Sequence, residues 1–222
     1  MCGRFVRHTH VRELTELVGA LDHPADPGAS YNITPSQDVL NAHEHGGRRV
    51  LVPMRWGLVP RWAKDAKKIQ PINARAETVA SNGVFRLAFR TGRTLIPADG
   101  FYEWMRSEHG KQPFYVYRCD GKPSWFAGVS DTWQGAEQPL TTCAIITTAA
   151  NEDMQPIHHR MPVILTEDSW DTWLDPHNED WAGLQRLLRP SADGFIALRP
   201  VSTRVNNPRN DLPELITALP GA

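Results

Sequence analysis

The sequence predicts an α+β fold: a single domain, residues 1–222, around a curved, partly closed and mainly antiparallel β-structure with peripheral helices. Three observations predict it. Strand-like runs are short and outnumber the helical ones. Eighteen Pro and sixteen Gly are spread along the chain, so turns must be frequent. No repeat or low-complexity tract points to an array.

The first helix is predicted over residues 9–18, with Thr9 as its cap and Val11, Leu14, Leu17 and Val18 recurring at helical spacing. Residues 23–30 form a Pro/Gly/Asp loop, and residues 50–56 a strand. Residues 56–70 make a long connection that carries Trp56, Trp62 and four basic residues. A helix follows over 77–89, with Val84, Phe85, Leu87, Ala88 and Phe89 supplying apolar surface. Strands are predicted over 94–97, 101–105, 113–118, 125–129, 141–147 and 162–165. Helices at 167–174 and 180–187 and a last strand at 195–201 complete the order.

Hydrophobic residues make up 41% and charged residues 22%, ordinary for a globular protein that buries a sizeable core. The formal net charge is −1, which excludes a general basic coat, so any polyanion must be held by a local cluster. The acidic C-terminal half balances the charge and is expected to lie away from a basic face. Cys2, Cys119 and Cys143 are odd in number and match no zinc or disulfide spacing. A reduced, cytoplasmic thiol set is the expectation. The N-terminus has no apolar signal core, and no run reaches the ~18 residues of a membrane span. No metal, cofactor or membrane is expected.

Met1-Cys2-Gly3-Arg4-Phe5 opens the chemistry. Loss of Met1, by an aminopeptidase or by self-cleavage, leaves an α-amine and a thiol on adjacent carbons. Their ordinary pKa values are about 8 and 8.5. Such an aminothiol can use its amine as base for its thiol. It can also trap an aldehyde, first as a Schiff base and then as a five-membered thiazolidine. The competing reading is an incidental Cys in a frayed tail.

In residues 71–77, Asn73 offers a donor-and-acceptor amide and Arg75 a planar fork for phosphate or carboxylate. A turn with a surface Arg–Glu pair explains them equally. In residues 97–104 strand alternation puts Phe101 and Glu103 on one face and Tyr102 and Trp104 on the other. Glu103 beside an aromatic ring suits a general acid or base, or else is a solvated residue of an edge strand. In residues 157–162, His158 and His159 should point in different directions, so at most one faces a site, as a proton shuttle. A metal site from this pair lacks a third ligand. Arg4, Arg7, Arg55, Arg61, Arg75 and Arg160 fall near these motifs, with Trp56 and Trp62 interleaved. Arginine with tryptophan grips single-stranded nucleic acid, though core tryptophans and solvated arginines give the same pattern.

Taken in order, Met1-Cys2-Gly3-Arg4-Phe5, Asn73-Ala74-Arg75-x-Glu77, the run from Pro97 to Trp104, Ile145-Ile146-Thr147-Thr148-x-Ala150-Asn151 and Ile157-His158-x-Arg160-Met161-Pro162 resemble the SOS response-associated peptidase (SRAP) family. Tyr31-Asn32-Ile33-Thr34-Pro35, Trp56-Gly57-Leu58-Val59-Pro60 and Val205-Asn206-Asn207 extend the resemblance over nearly the whole chain. It implies an α+β domain that removes its own Met1. Cys2 then captures the ring-opened abasic sugar of single-stranded DNA as a thiazolidine. By the same resemblance, Asn73 orients the N-terminus and the sugar, Glu103 moves protons, and His158 protonates the sugar ring oxygen. Arg4 and Arg75 match phosphate-binding arginines, Trp62 a DNA-facing tryptophan and Thr147 a threonine near the site, with Arg160 also on the DNA. Some members carry a further Arg where this chain has Asn82-Gly83-Val84-Phe85. The partner implied is single-stranded DNA with abasic sites, met by a monomer in the cytoplasm, at the nucleoid when engaged.

Two other classes share some of these features. An N-terminal-nucleophile amidohydrolase, such as a glutamine-dependent amidotransferase domain, also starts Met-Cys-Gly; it would release ammonia from glutamine. A non-catalytic single-strand-binding module would bind equally well as Cys2→Ala and never crosslink.

Overall fold

In the computed structural model, which describes residues 2–108, 110–135 and 137–221, the chain is α+β. The strands among the described residues are β1 (Phe5–Arg7), β2 (Ser30–Ile33), β3 (Asp38–His45), β4 (Arg48–Trp56), β5 (Asn73–Arg75), β6 (Arg93–Ala98), β7 (Gly100–Ser107), β8 (Gly110–Arg118), β9 (Ser124–Trp133), β10 (Leu140–Ala149), β11 (Arg160–Pro162) and β12 (Ile196–Pro200). The helices are α1 (Val11–Val18), α2 (Arg86–Thr91), α3 (Glu167–Leu174) and α4 (Trp181–Leu187).

The smaller sheet is antiparallel, in the order β12-β8-β7-β1-β2. The larger runs β11-β10-β4-β3-β6-β9, and β9 pairs again with β10. That second pairing turns the sheet back on itself as a partly closed ring. Most pairs are antiparallel; β4 and β5 join β10 in parallel. The expected curved, partly closed sheet with peripheral helices is therefore what forms.

Burial divides at the ring wall. Outside it, Val11, Leu14 and Val18 of α1, Trp170 and Trp173 of α3 and Leu184 of α4 pack with Leu40, Leu51, Leu95 and Trp125. Between the ring and the smaller sheet, Phe5, Trp56, Ile96, Phe101, Phe126 and Ile145 enclose Cys2. Phe5 meets Trp56 edge-on at 5.2 Å between ring centres, and Phe126 meets Phe5 at 6.2 Å and Phe101 at 5.9 Å. No helix among the described residues is long and apolar enough to cross a membrane.

Three local expectations are corrected. The cap of α1 is His10, whose ring accepts from the Arg12 N–H, and not Thr9. Thr9 is held by Asp99, which accepts from its N–H at 2.9 Å and from its hydroxyl. Gly19 ends the helix in the left-handed region (φ 67°), donating to Glu16 and Thr15. The helix expected over 77–89 shrinks to α2, because the Asn82 side chain accepts from the Val84 N–H and turns the chain first. The strand expected over 162–165 lies earlier, as β11, with only an isolated bridge from Ile164 to Phe126 beyond it.

Candidate active site

β5 is short and exists through β10. Asn73 stands level with Ile145 and Arg75 with Thr147. That pairing brings the Asn73 side chain to the chain's beginning: Nδ2 donates to the Cys2 carbonyl at 2.9 Å. The Asn73 Oδ1 is buried and accepts no hydrogen bond from the described residues. Cys2 is wholly buried, and burial pushes its thiol well above the ordinary range. The charge of Glu103 adds to that rise, while the backbone N–H of Arg4 at the sulfur opposes it. The thiol is thus protonated at neutral pH. Met1 lies outside the described residues, and so does any statement about its removal.

Glu103 is not on an edge. β7 lies between β1 and β8, and Glu103, 4% exposed, faces Phe114 across the pair. The predicted alternation holds: Phe101 joins the core around Cys2, while Tyr102 packs with Tyr115 and Trp104 on the other face. His158 ends a turn that begins at Met154. Its Nδ1 lies 3.0 Å from the Arg160 nitrogen and 3.2 Å from the Arg160 carbonyl oxygen, so the Arg160 backbone orients the ring. Burial lowers its pKa, with the Glu103 charge pulling the other way. His159 does not diverge from it as expected. The segment is irregular, and the two rings stack at 4.4 Å.

Glu103, His158, Trp104, Arg106, Lys111 and Asn206 line a cleft of about 470 Å³. A larger cavity of about 820 Å³ opens at the other end of the ring beside His43, His45 and Asp131; none of the catalytic candidates lines it. Among the described residues no group of three or more His, Cys, Asp or Glu is arranged to hold a metal.

The remaining predicted residues separate. Arg4 reaches the cleft wall: its guanidinium lies 5.9 Å from the centre of the Trp104 ring. Its Nη1 donates to Asn32 Oδ1 at 2.6 Å and to the Val205 carbonyl at 2.7 Å. Arg75 is exposed on β5. Arg160 is engaged internally, with two hydrogen bonds to Glu77 at 2.5 and 3.0 Å and one to the Thr147 carbonyl at 2.6 Å. Thr147 is wholly buried and donates to the Ala74 carbonyl at 3.2 Å. These two clamp β5, β10 and β11 together. Trp62 is 53% exposed and does not line this cleft. Its neighbours are tied to the far end of β9, Arg61 to Asp131 and Ala63 to Trp133. The tryptophan in the cleft is Trp104.

Sequence reasoning missed Asn32 as a contributor. It is 2% exposed, accepts from Arg4 and donates to the carbonyls of Val205, Asn207 and Asn210 at 3.3, 3.1 and 2.6 Å. Asn206 in the same segment accepts from the Trp104 indole N–H at 2.7 Å. The signal was the shared presence of Tyr31-Asn32-Ile33 and Val205-Asn206-Asn207, two motifs that here bind each other. Asn32→Ala leaves buried carbonyls and a guanidinium N–H without partners. It is expected to lower unfolding free energy by about 2–3 kcal/mol in urea titration. Asn32→Asp, which keeps the acceptor for Arg4 but sets a carboxylate against those carbonyls, should lose as much; an unchanged midpoint in both would disprove this account.

A family model described as SOS response associated peptidase (SRAP) matches residues 1–208. The chain is similar to Abasic site processing protein YoqW of Bacillus subtilis (strain 168), 43% identical over 97% of this chain and 99% of that one. It is 38% identical to Abasic site processing protein HMCES of Gallus gallus, over 86% of this chain and 66% of that protein. A crystal structure of a protein from Bacteroides thetaiotaomicron superposes with a TM-score of 0.89 over 98% of this chain and all of that one. At 23% identity that likeness speaks to the fold.

Proposed function

Since the chain belongs to the SOS response associated peptidase family, we propose that it processes abasic sites in single-stranded DNA, removing its own Met1 and then crosslinking the opened sugar through Cys2. The observation that carries this is the Asn73 amide on the Cys2 carbonyl, with its Oδ1 left open in a buried position. An acceptor so placed suits a newly freed α-amine. The protein acts as a monomer in the cytoplasm and needs no metal or cofactor.

The steps balance without an oxidant. Water adds across the Met1–Cys2 peptide bond, methionine leaves, and the amine stays on Cys2, with Glu103 carrying the proton between water and nitrogen. The abasic hemiacetal opens as its ring oxygen gains a proton, given by His158, and its hydroxyl loses one. The amine attacks the aldehyde carbon and water leaves, giving the imine. Sγ then adds to the same carbon and its proton ends on the nitrogen, closing the five-membered ring.

Burial of Cys2 supports that order. A thiol held protonated is a poor first nucleophile, so the amine acts first and the thiol follows. Ring closure removes the iminium that would promote β-elimination and strand scission. Arg4, Arg75 and the Trp104 face receive the strand, and a single strand exposes the sugar without duplex opening. The test is a denaturing gel of Met1-free protein, verified by intact mass, with an oligonucleotide bearing one abasic site. A retarded band is expected; its absence overturns the proposal.

The pH dependence has a defined sign. His158 sits below its ordinary 6.5, so it is neutral at pH 7 and gains charge only in more acidic solution. The ratio of wild-type to His158→Gln crosslinking rates should rise as pH falls, with a midpoint below 6.5. Taking the ratio cancels the protonation of the amine, which both proteins share. A flat ratio between about pH 5 and pH 8 would remove His158 as proton donor.

A further inference from the structure

We propose that Arg106 and Lys111, facing each other across the β7–β8 hairpin, form a phosphate-holding subsite for the DNA strand beside the abasic nucleotide. This extends the function proposed above and rests on it.

The pair is unfavourable as fold alone. Arg106 and Lys111 are directly opposite in antiparallel register. Like charges in that position repel. Among the described residues neither is in an ion pair or side-chain hydrogen bond, and Glu108 at the hairpin turn is bonded to neither. Both are exposed. A chain of net charge −1 has no general excess of cations to spread about. The repulsion is relieved when an anion sits between them.

Their place says which anion. Both line the cleft that holds Glu103, His158 and Trp104, and they are its cationic lining residues. Arg160 is taken up by Glu77, and Arg4 by Asn32 and Val205. The hairpin pair therefore adds to Arg4 two cations that are not held by internal side-chain partners among the described residues. Arg106 is three residues along β7 from Glu103. At strand rise that is about 10 Å, too far for the reacting sugar and right for a neighbouring phosphate. Trp104 stands between, its indole N–H fixed on Asn206, and offers a ring face for the intervening base.

The experiment compares Met1-free wild type with the double variant Arg106→Gln/Lys111→Gln. A second double variant, Arg48→Gln/Lys122→Gln, removes the same charge from exposed positions elsewhere. Binding of an unmodified single-stranded oligonucleotide is measured against salt, and crosslinking of an abasic one at saturating and limiting DNA. Thermal unfolding confirms that the variants fold. The hairpin variant should bind several-fold more weakly, with a salt slope smaller by about 0.7 for each phosphate the pair neutralises in the wild type. Its crosslinking should be slowed at limiting DNA and unchanged at saturation. An affinity and slope equal to those of the Arg48/Lys122 control overturn the subsite. Failure of wild type to crosslink overturns the parent proposal instead, and the binding comparison still decides the subsite.

Discussion

Cys2→Ala abolishes the heat-stable adduct with an abasic oligonucleotide, the largest functional effect expected of any single substitution in this chain. No other group can close the ring, because the thiol must stand on the carbon next to the amine's own. The buried position makes the loss specific: Cys2 is wholly enclosed by the core around Phe101 and Trp56, so alanine deletes one sulfur and little else. Circular dichroism should show the fold intact. Borohydride separates the two bond-forming steps. Where intact mass shows that Met1 is gone, reduction should trap the variant's imine and restore a band. Cys2→Ser should behave alike, its hydroxyl closing a ring that reopens. A heat-stable adduct of wild-type yield from Cys2→Ala, without reductant, would refute the mechanism.

The largest effect on stability is expected from Phe126→Ala. Phe126 is wholly buried where the ring meets the smaller sheet, edge-on to both Phe5 and Phe101. Truncation leaves a void that neither sheet can close without moving its partner strands. The expected loss is about 3–5 kcal/mol of unfolding free energy, read from the urea midpoint at constant slope. Phe126 shares its core with Cys2, so crosslinking should fall as well. A loss below about 1 kcal/mol would mean that the two sheets are not joined through this cluster.

How much of this was legible varied with local pattern. α3 stands where spacing put it, since Trp170, Trp173 and Leu174 recur on one side behind acidic residues. β7 was legible down to which face each residue takes, because its alternation is clean. β3 was missed: Asn41 is wholly buried with Thr94 and Cys143 as partners, and polar residues in that position conceal a strand. β1, β2 and β5 were missed because each is short and made by its partners rather than by its own sequence. In the candidate site, Cys2, Asn73, Glu103 and His158 were found as types of chemistry at motif positions. What no spacing could show was which arginines remain free. Arg160 is held by Glu77, and Arg7 by Thr9 and Asp26, partners that no spacing announces. That Trp104 lines the cleft beside Glu103, while Trp62 stands exposed on the loop after Trp56, is likewise not legible in the letters.

The hydrogen bond from Arg4 to Val205 spans 201 positions of sequence. During synthesis Arg4 and its nearer acceptor Asn32 leave the ribosome long before Val205, its second acceptor, and before Asn206, the acceptor for Trp104. Cys2 therefore emerges long before the cleft lined by Glu103, His158 and Asn206 can be completed. A chain not yet translated as far as Val205 and Asn206 presents Cys2 near a loose end, and the Arg4 and Trp104 side chains are fixed only when that segment folds back upon the chain's beginning.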